Sequence, residues 1–331
     1  MLHLRAIVPE DRTETVCAVL ADCAGATNVV VVPGAARFPR GDLVTADLAR
    51  EAANEVIEAL QGLGIERDGS ISLEQLDVSL SVGAEVAEER APGYGDDAVV
   101  WQELDRRITN DSLLTWSFVA FLALATQLAG IAALIDSPIL VVGAMVLGPE
   151  FAAVAAICYG ILRGRIRQIG AALRTLVIGF AVAIVITYVC ALVSRWIGVI
   201  ELDRLPAERP MTAFIYSPDR WSFIVALLAG AGGVLSLTAG KSSALVGVFI
   251  SVTTVPAAGN LAVALALKQG DEISGSLLQL GVNLAGMVIA GTLTLLVQQY
   301  VWRLVLRRRG GSPGGRNPRE GRAGAGQGLG S

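Results

Sequence analysis

The hydrophobic rhythm of the chain changes near residue 110: short apolar runs and amphipathic stretches precede it, and apolar runs of more than 20 residues follow it. Leu2 to Val8 is an apolar run stopped by Pro9, which reads as a strand. A helix is expected from Glu10, because Val16, Val19, Leu20 and Cys23 recur at i, i+3, i+4 and i+7 while Glu14 and Asp22 fall off that face. Asn28 to Val32 is a β-branched strand ended by Pro33-Gly34, and Leu43 to Leu48 alternates as the next one. Ala53, Val56, Ile57 and Leu60 give a second apolar helix face, closed by Gly62 and Gly64 ahead of a strand from Ser70 to Leu80. The order strand, helix, strand, strand, helix, strand needs only about 80 residues to close one small core.

Beyond a Gly- and Pro-containing joint at 91–97, Val99 to Asn110 reads as a helix leading into a membrane. Six apolar segments then approach or exceed the roughly 20 residues a bilayer crossing needs: Leu113 to Ile135, Ile139 to Leu162, Ile169 to Ser194, Trp221 to Gly240, Ala244 to Leu267 and Ile273 to Tyr300. Trp116-Ser117-Phe118-Val119 opens the first and Trp221-Ser222-Phe223-Ile224 the fourth, an offset of 105 that also aligns Gly170 with Gly275 and Val177 with Val282. Three spans per unit is an odd number, so a second copy would enter from the opposite side, as in inverted-repeat transporters. The expected organisation is a head at 1–90, a linker and lead-in helix at 91–112, six membrane helices at 113–306 as repeats 113–200 and 221–306, and a disordered tail at 307–331.

Charge sharpens this picture. Residues 1–110 carry 9 Arg and 20 acids, net −11, whereas the remainder is net +7. The acidic part repels nucleic acid and the Arg of the basic part flank apolar spans, so no nucleic-acid role is assigned. With the head inside, ten basic residues flank the cytoplasmic ends and five, Arg195, Arg204, Arg209, Arg220 and Lys268, the outer ones. Both termini are therefore expected in the cytoplasm of a multi-pass protein of the cytoplasmic membrane. His3 is the single His, the four Cys show no CxxC spacing, and no HExxH, GxSxG or GxxxxGK[ST] pattern occurs. No catalytic residue, metal site or cofactor is assigned, and no enzyme activity is expected.

The chemistry-bearing positions lie in the middle span of each unit. Gly143-Ala144-Met145-Val146-Leu147-Gly148-Pro149-Glu150 interrupts the second span, and Thr253-Thr254-Val255-Pro256-Ala257-Ala258-Gly259-Asn260 the fifth. Pro frees a carbonyl and Gly permits unwinding, so each break is a kink or, where a polar cavity satisfies the backbone, a binding site. Two breaks in matching spans favour the site. Glu150 falls near the midplane, where an ionised carboxylate costs at least ~2.5–3.5 kcal/mol. It reads as a proton- or cation-coupling group, against a salt bridge to Arg174 or a permanently protonated acid. Gln127, Gln279, Asn283 and Asn260 could complete a pathway or serve as interhelical glue. Asp136-Ser137-Pro138 reads as a helix-start cap.

Asp136-Ser137-Pro138, Val142-Gly143-Ala144-Met145 and Pro149, with Val246-Gly247-Val248, Pro256 and Asn283 in the second half, resemble the pattern of the membrane family called domain of unknown function 389. The sequence departs from that pattern at Pro149-Glu150, where the family shows Pro-Leu, and at Pro256-Ala257, where it shows Pro-Pro. The resemblance implies a polytopic helical domain and no settled activity. The head resembles ferredoxin-like regulatory modules of the ACT and PII-like kind, which implies a small cytosolic ligand or self-association. The resulting expectation is a polytopic α-helical membrane protein, with six transmembrane helices in two inverted repeats behind an α+β ferredoxin-like cytosolic domain. It is expected to form a homo-oligomer in the lipid bilayer and to carry a small solute or ion between its second and fifth spans; the alternative is a ligand-gated channel or a membrane-bound sensor or scaffold.

Overall fold

The computed structural model describes residues 1–76, 78–91, 99–200, 209–217, 219–239 and 254–309, with the side chains of 303 and 305–309 left aside. The head is a four-stranded antiparallel sheet, β1 (Leu2–Val8), β2 (Ala26–Arg37), β3 (Arg40–Leu48) and β4 (Ser70–Gln75), in the order β2-β3-β1-β4. Helices α1 (Thr13–Asp22) and α2 (Ala53–Gly62) cover one face; Val16, Leu20, Val56, Ile57 and Leu60 bury against Leu4, Ala6, Val8, Val44 and Leu48. The expected element order is thus found, with three changes of boundary. A short 3-10 turn, Glu10–Arg12, precedes α1. Pro33-Gly34 does not end β2, because β2 is the edge strand, where a missing N–H is tolerated, and register shifts and the positive φ of Gly34 absorb the irregularity. β4 stops at Gln75 rather than Leu80, and after a one-turn helix α3 (Ile65–Asp68) before it, a Ser81-capped helix α4 (Val82–Arg90) follows it.

Helix α5 (Trp101–Asp111) joins the head to the apolar half. Asn54 of α2 holds its start, donating to the Val99 carbonyl at 2.7 Å and accepting from the Trp101 N–H at 3.1 Å. Farther along, Asp105 accepts two bonds of 2.8 Å from Arg165. The Arg50 guanidinium reaches the Thr238 carbonyl at 3.4 Å, so the head is also tied to the end of another apolar helix.

Four helices of the second half are long and apolar enough to cross a membrane: α6 (Trp116–Leu134), α9 (Ile166–Trp196), α10 (Arg220–Thr238) and α12 (Gly270–Arg309). A bent helix pair is long and apolar enough only when its two parts are taken together, which gives up to five spans against the six expected. Its parts, α7 (Pro138–Leu147) and α8 (Glu150–Arg163), meet at 56° across Gly148-Pro149. Gly143 stays helical, and the bend forms where Gly148 takes the extended conformation that a following proline imposes. In the expected fifth span only α11 (Thr254–Ala266), 13 residues, is described, and Thr253 and Val246-Gly247-Val248 lie outside the described residues. The final helix is longer than the expected span, running to Arg309.

The starts of α6 and α10 and of α9 and α12 are each 104 positions apart. Packing between these helices relies on small residues that let backbones approach. A methyl on Gly259 of α11 would stand 2.7 Å from the Thr126 carbonyl of α6, and one on Gly230 of α10 would stand 2.5 Å from the Met287 carbonyl of α12.

In the head, Asp42 at the start of β3 accepts from the Thr13 hydroxyl at 2.7 Å and from the Gly34 N–H at 2.8 Å. These bonds, that from Gly34 first, hold its carboxyl below the usual carboxylate range. A group depressed in the folded state stabilises above its unfolded pKa, about 4, and loses that contribution as pH falls through the folded value. Asp42→Asn is therefore expected to lower the thermal stability of the sheet near neutrality and to flatten its acid limb, read from the amide I band of the full chain. An unaltered acid limb would remove Asp42 from this role.

Candidate functional site

Pro149 sets the N-terminus of α8, and Glu150 is therefore the first residue of a half-helix rather than a mid-span residue of a continuous one. Thr254 is the first described residue of α11. The Thr254 hydroxyl donates to Glu150 Oε1 at 2.7 Å, and neither residue has any exposed surface. The start of α8 thus meets the described part of α11, and the expected interruption of the fifth span is not found over 254–260, which is continuous helix. A helix start presents free N–H groups and partial positive charge, which suits a carboxylate.

Farther along α11, Asn260 donates to Ser276 Oγ of α12 at 2.9 Å and to the Glu272 carboxylate at 3.1 Å. That contact fixes the antiparallel register of the hairpin. With the same rise per residue on both helices, Gln279 falls level with Ala257, and Asn283 within one residue of Thr254. Ser276, Gln279 and Asn283 lie at i, i+3 and i+7, hence on one face, and all are fully buried. Among the described residues neither the carboxamide of Gln279 nor that of Asn283 has a hydrogen-bond partner. Leaving a buried polar group unsatisfied costs about 1–3 kcal/mol, so four such atoms on adjacent turns are an expense that needs a purpose.

The far end of this polar stripe is closed by Arg209, which the sequence places in the connection between the third and fourth apolar segments. Arg209 is 2% exposed: Nη1 donates to Asn260 Oδ1 at 2.9 Å and to the Ala133 carbonyl at 3.3 Å, and Nη2 lies 2.6 Å from the Glu272 carboxylate. The guanidinium also stacks 4.5 Å over the Tyr216 ring. Asp136 anchors the same segment, accepting from the Thr212 hydroxyl at 2.7 Å, while Ser137 is the cap of α7.

The remaining positions singled out from the sequence stand apart. Pro256 is buried on α11, two residues after Thr254. Met145 packs with Ala132, Val141 and Ile215, Gly143 faces Leu128, and Gln127 is only half-buried on α6. Arg174 does not pair with Glu150; it is exposed on α9, and Thr254 occupies the near side of the carboxylate. The residues that sequence reading passed over are Arg209, Glu272 and Ser276. The spacing of Glu272, Ser276, Gln279 and Asn283 on an otherwise apolar helix is the signal that could have found two of them. Among the described residues no group of three or more His, Cys, Asp or Glu could hold a metal ion.

Breaking the Arg209–Glu272 pair would leave a poorly solvated carboxylate. Arg209→Gln is expected to cost about 3 kcal/mol of stability, and adding Glu272→Gln to recover part of it. Thermal unfolding of both variants checks this; additive losses would mean the two charges do not act as a pair.

No curated protein and no solved structure shows a match to the chain. Residues 145–289 match the family model described as "Domain of unknown function (DUF389)". That stretch runs from the end of α7 through α8 to the middle of α12, and so contains Glu150, Thr254, Asn260, Gln279 and Asn283. The part of the chain that builds the buried polar site is thus the part that is similar to the DUF389 family.

Proposed function

We propose that the protein is a secondary transporter or ion-coupled carrier of a small solute or ion. Its site would lie between α8 and α11 and be closed to both sides in the present conformation. One observation carries this reading: the buried Glu150 at the first residue of α8 touches Thr254 of α11, 104 positions on. If 113–200 and 221–306 are inverted copies making six spans, equivalent positions that touch must lie beside the symmetry axis. In inverted repeats that axis lies in the membrane plane, which is where carriers hold their cargo. Glu150 would take up and release a proton or cation there, and Gln279 and Asn283 would give their unspent donors and acceptors to the solute. Rocking one unit against the other would expose the site alternately to each side.

The head fits a ferredoxin-like cytosolic regulator, with a small ligand or a second copy of the chain as its partner. A gated channel or sensor is the second reading. It is favoured by the direct ties from Arg50 to Thr238 and from Asp105 to Arg165, through which a movement of the head would reach α10, α8 and α9.

Reconstitution in liposomes with a solute panel separates the two, since a carrier saturates and exchanges solute whereas a channel passes unitary currents. Glu150→Gln keeps the shape and removes the titration, so it is expected to abolish the pH or cation dependence of uptake. Asn283→Ala is expected to weaken apparent solute affinity about tenfold, the worth of one lost hydrogen bond in a closed site. Uptake by Glu150→Gln with the original rate and pH profile would sink the coupling role.

A further inference from the structure

Arg174 is the second charge that interrupts the apolar stretches, and the polar site does not use it. It lies eight residues beyond Ile166, roughly 12 Å up α9, among exposed apolar neighbours, Leu173 at 52% and Val177 at 61%. From Leu176 to Val193 α9 carries no charge, a stretch of roughly 27 Å that matches the hydrocarbon thickness of a bilayer. With that stretch in the hydrocarbon, Arg174 stands at the level of the lipid headgroups on the side that carries the head.

An open pocket of about 650 Å³ lies at this level, between the end of α5 and the first turns of α9. Arg174, Arg167, Gln168 and Ser112 supply its polar lining, and Leu114 and Ala171 its apolar wall. Among the described residues neither Arg167 nor Arg174 has an ion-pair partner, whereas Arg165 beside them is satisfied by Asp105. The Gln168 carboxamide is closed off from the surface, and neither its oxygen nor its nitrogen has a hydrogen-bond partner. The other nearby carboxylate, Asp111, faces Arg107 at 4.0 Å. Two unneutralised guanidinium groups, an unspent amide and the start of a 31-residue helix converge on one pocket with an apolar wall.

We infer that this pocket holds the phosphate of an anionic phospholipid from the leaflet on the head's side, bound by Arg167 and Arg174 with its acyl chains along Leu114 and Ala171. The shared chemistry is a phosphate diester or monoester; the apolar wall and the depth of Arg174 select a lipid over a free anion. A lipid seated there would brace the end of α5 against α9, beside the Arg165–Asp105 clasp. The inference rests on reading the apolar helices as membrane spans and is independent of any transport activity.

The test is native mass spectrometry of the detergent-purified full chain, offered phosphatidylglycerol or phosphatidylcholine with identical acyl chains. Each Arg beside an anionic headgroup is worth roughly a factor of five, so retention should favour phosphatidylglycerol by roughly tenfold or more. Arg167→Gln/Arg174→Gln should abolish that preference. Equal retention of the two lipids by the unaltered chain, or a preference unchanged in the double variant, overturns the proposal. So does displacement of the lipid by millimolar inorganic phosphate, which would mark a free-anion site. Should the double variant fail to fold, cross-linking of the unaltered chain by photoactivatable phosphatidylglycerol decides: adducts at 112–114 and 166–174 support the site, and adducts only elsewhere refute it.

Discussion

A helix broken inside hydrocarbon leaves peptide groups that no water can satisfy, and everything in the apolar half of this protein answers to that constraint. Pro149 separates α7 from α8, and the start of α8 is not left facing lipid; it is buried against Thr254 of α11. Glu150 brings negative charge to a place where free N–H groups accumulate, and Thr254 donates to it from the other half. The close approaches at Gly259 and Gly230 pull α11 onto α6 and α12 onto α10, and so hold the meeting point away from lipid.

From this centre polar groups run along the shared face of α11 and α12. They end at Arg209, whose charge is neutralised by Glu272 and whose ring contact with Tyr216 fills the remaining space. The opposite end of the apolar half is closed by the head, through α5, the Arg165–Asp105 clasp and the Arg163 guanidinium stacked on Trp101 and Tyr159. In the proposed account the two closures are the two gates, one a buried ion pair and the other a folded domain. The unsatisfied amides of Gln279 and Asn283 are then the stored cost that a bound solute relieves.

The sequence made the periodic parts legible. Helix faces such as Val16–Leu20 and Val56–Leu60, the alternation of β3 and the break before Glu150 follow from spacing and from proline chemistry, and the structure has them. Edge-strand tolerance hid the true extent of β2, because Pro33-Gly34 signals an end only where both sides of a strand are paired. Arg209 was illegible for a different reason. It lies in a connection flanked by prolines and other charges, and nothing local says that this charge, rather than Arg204 or Arg220, folds back onto Asn260. The alternative of a Glu150–Arg174 salt bridge is not formed, because Arg174 is exposed on α9 while Glu150 is fully buried, a difference of helix face that spacing along the chain does not show.

The central claim is that α8 and α11 run from a common centre to opposite membrane faces. Side-specific labelling of the full chain, freed of its native cysteines, tests it most directly: one cysteine is placed at Gly164 after α8, the other at Lys268 after α11, in sealed vesicles of both orientations. The account predicts that an impermeant thiol reagent reaches position 164 only from the side carrying the head and position 268 only from the other. Labelling of both positions from one face would contradict it.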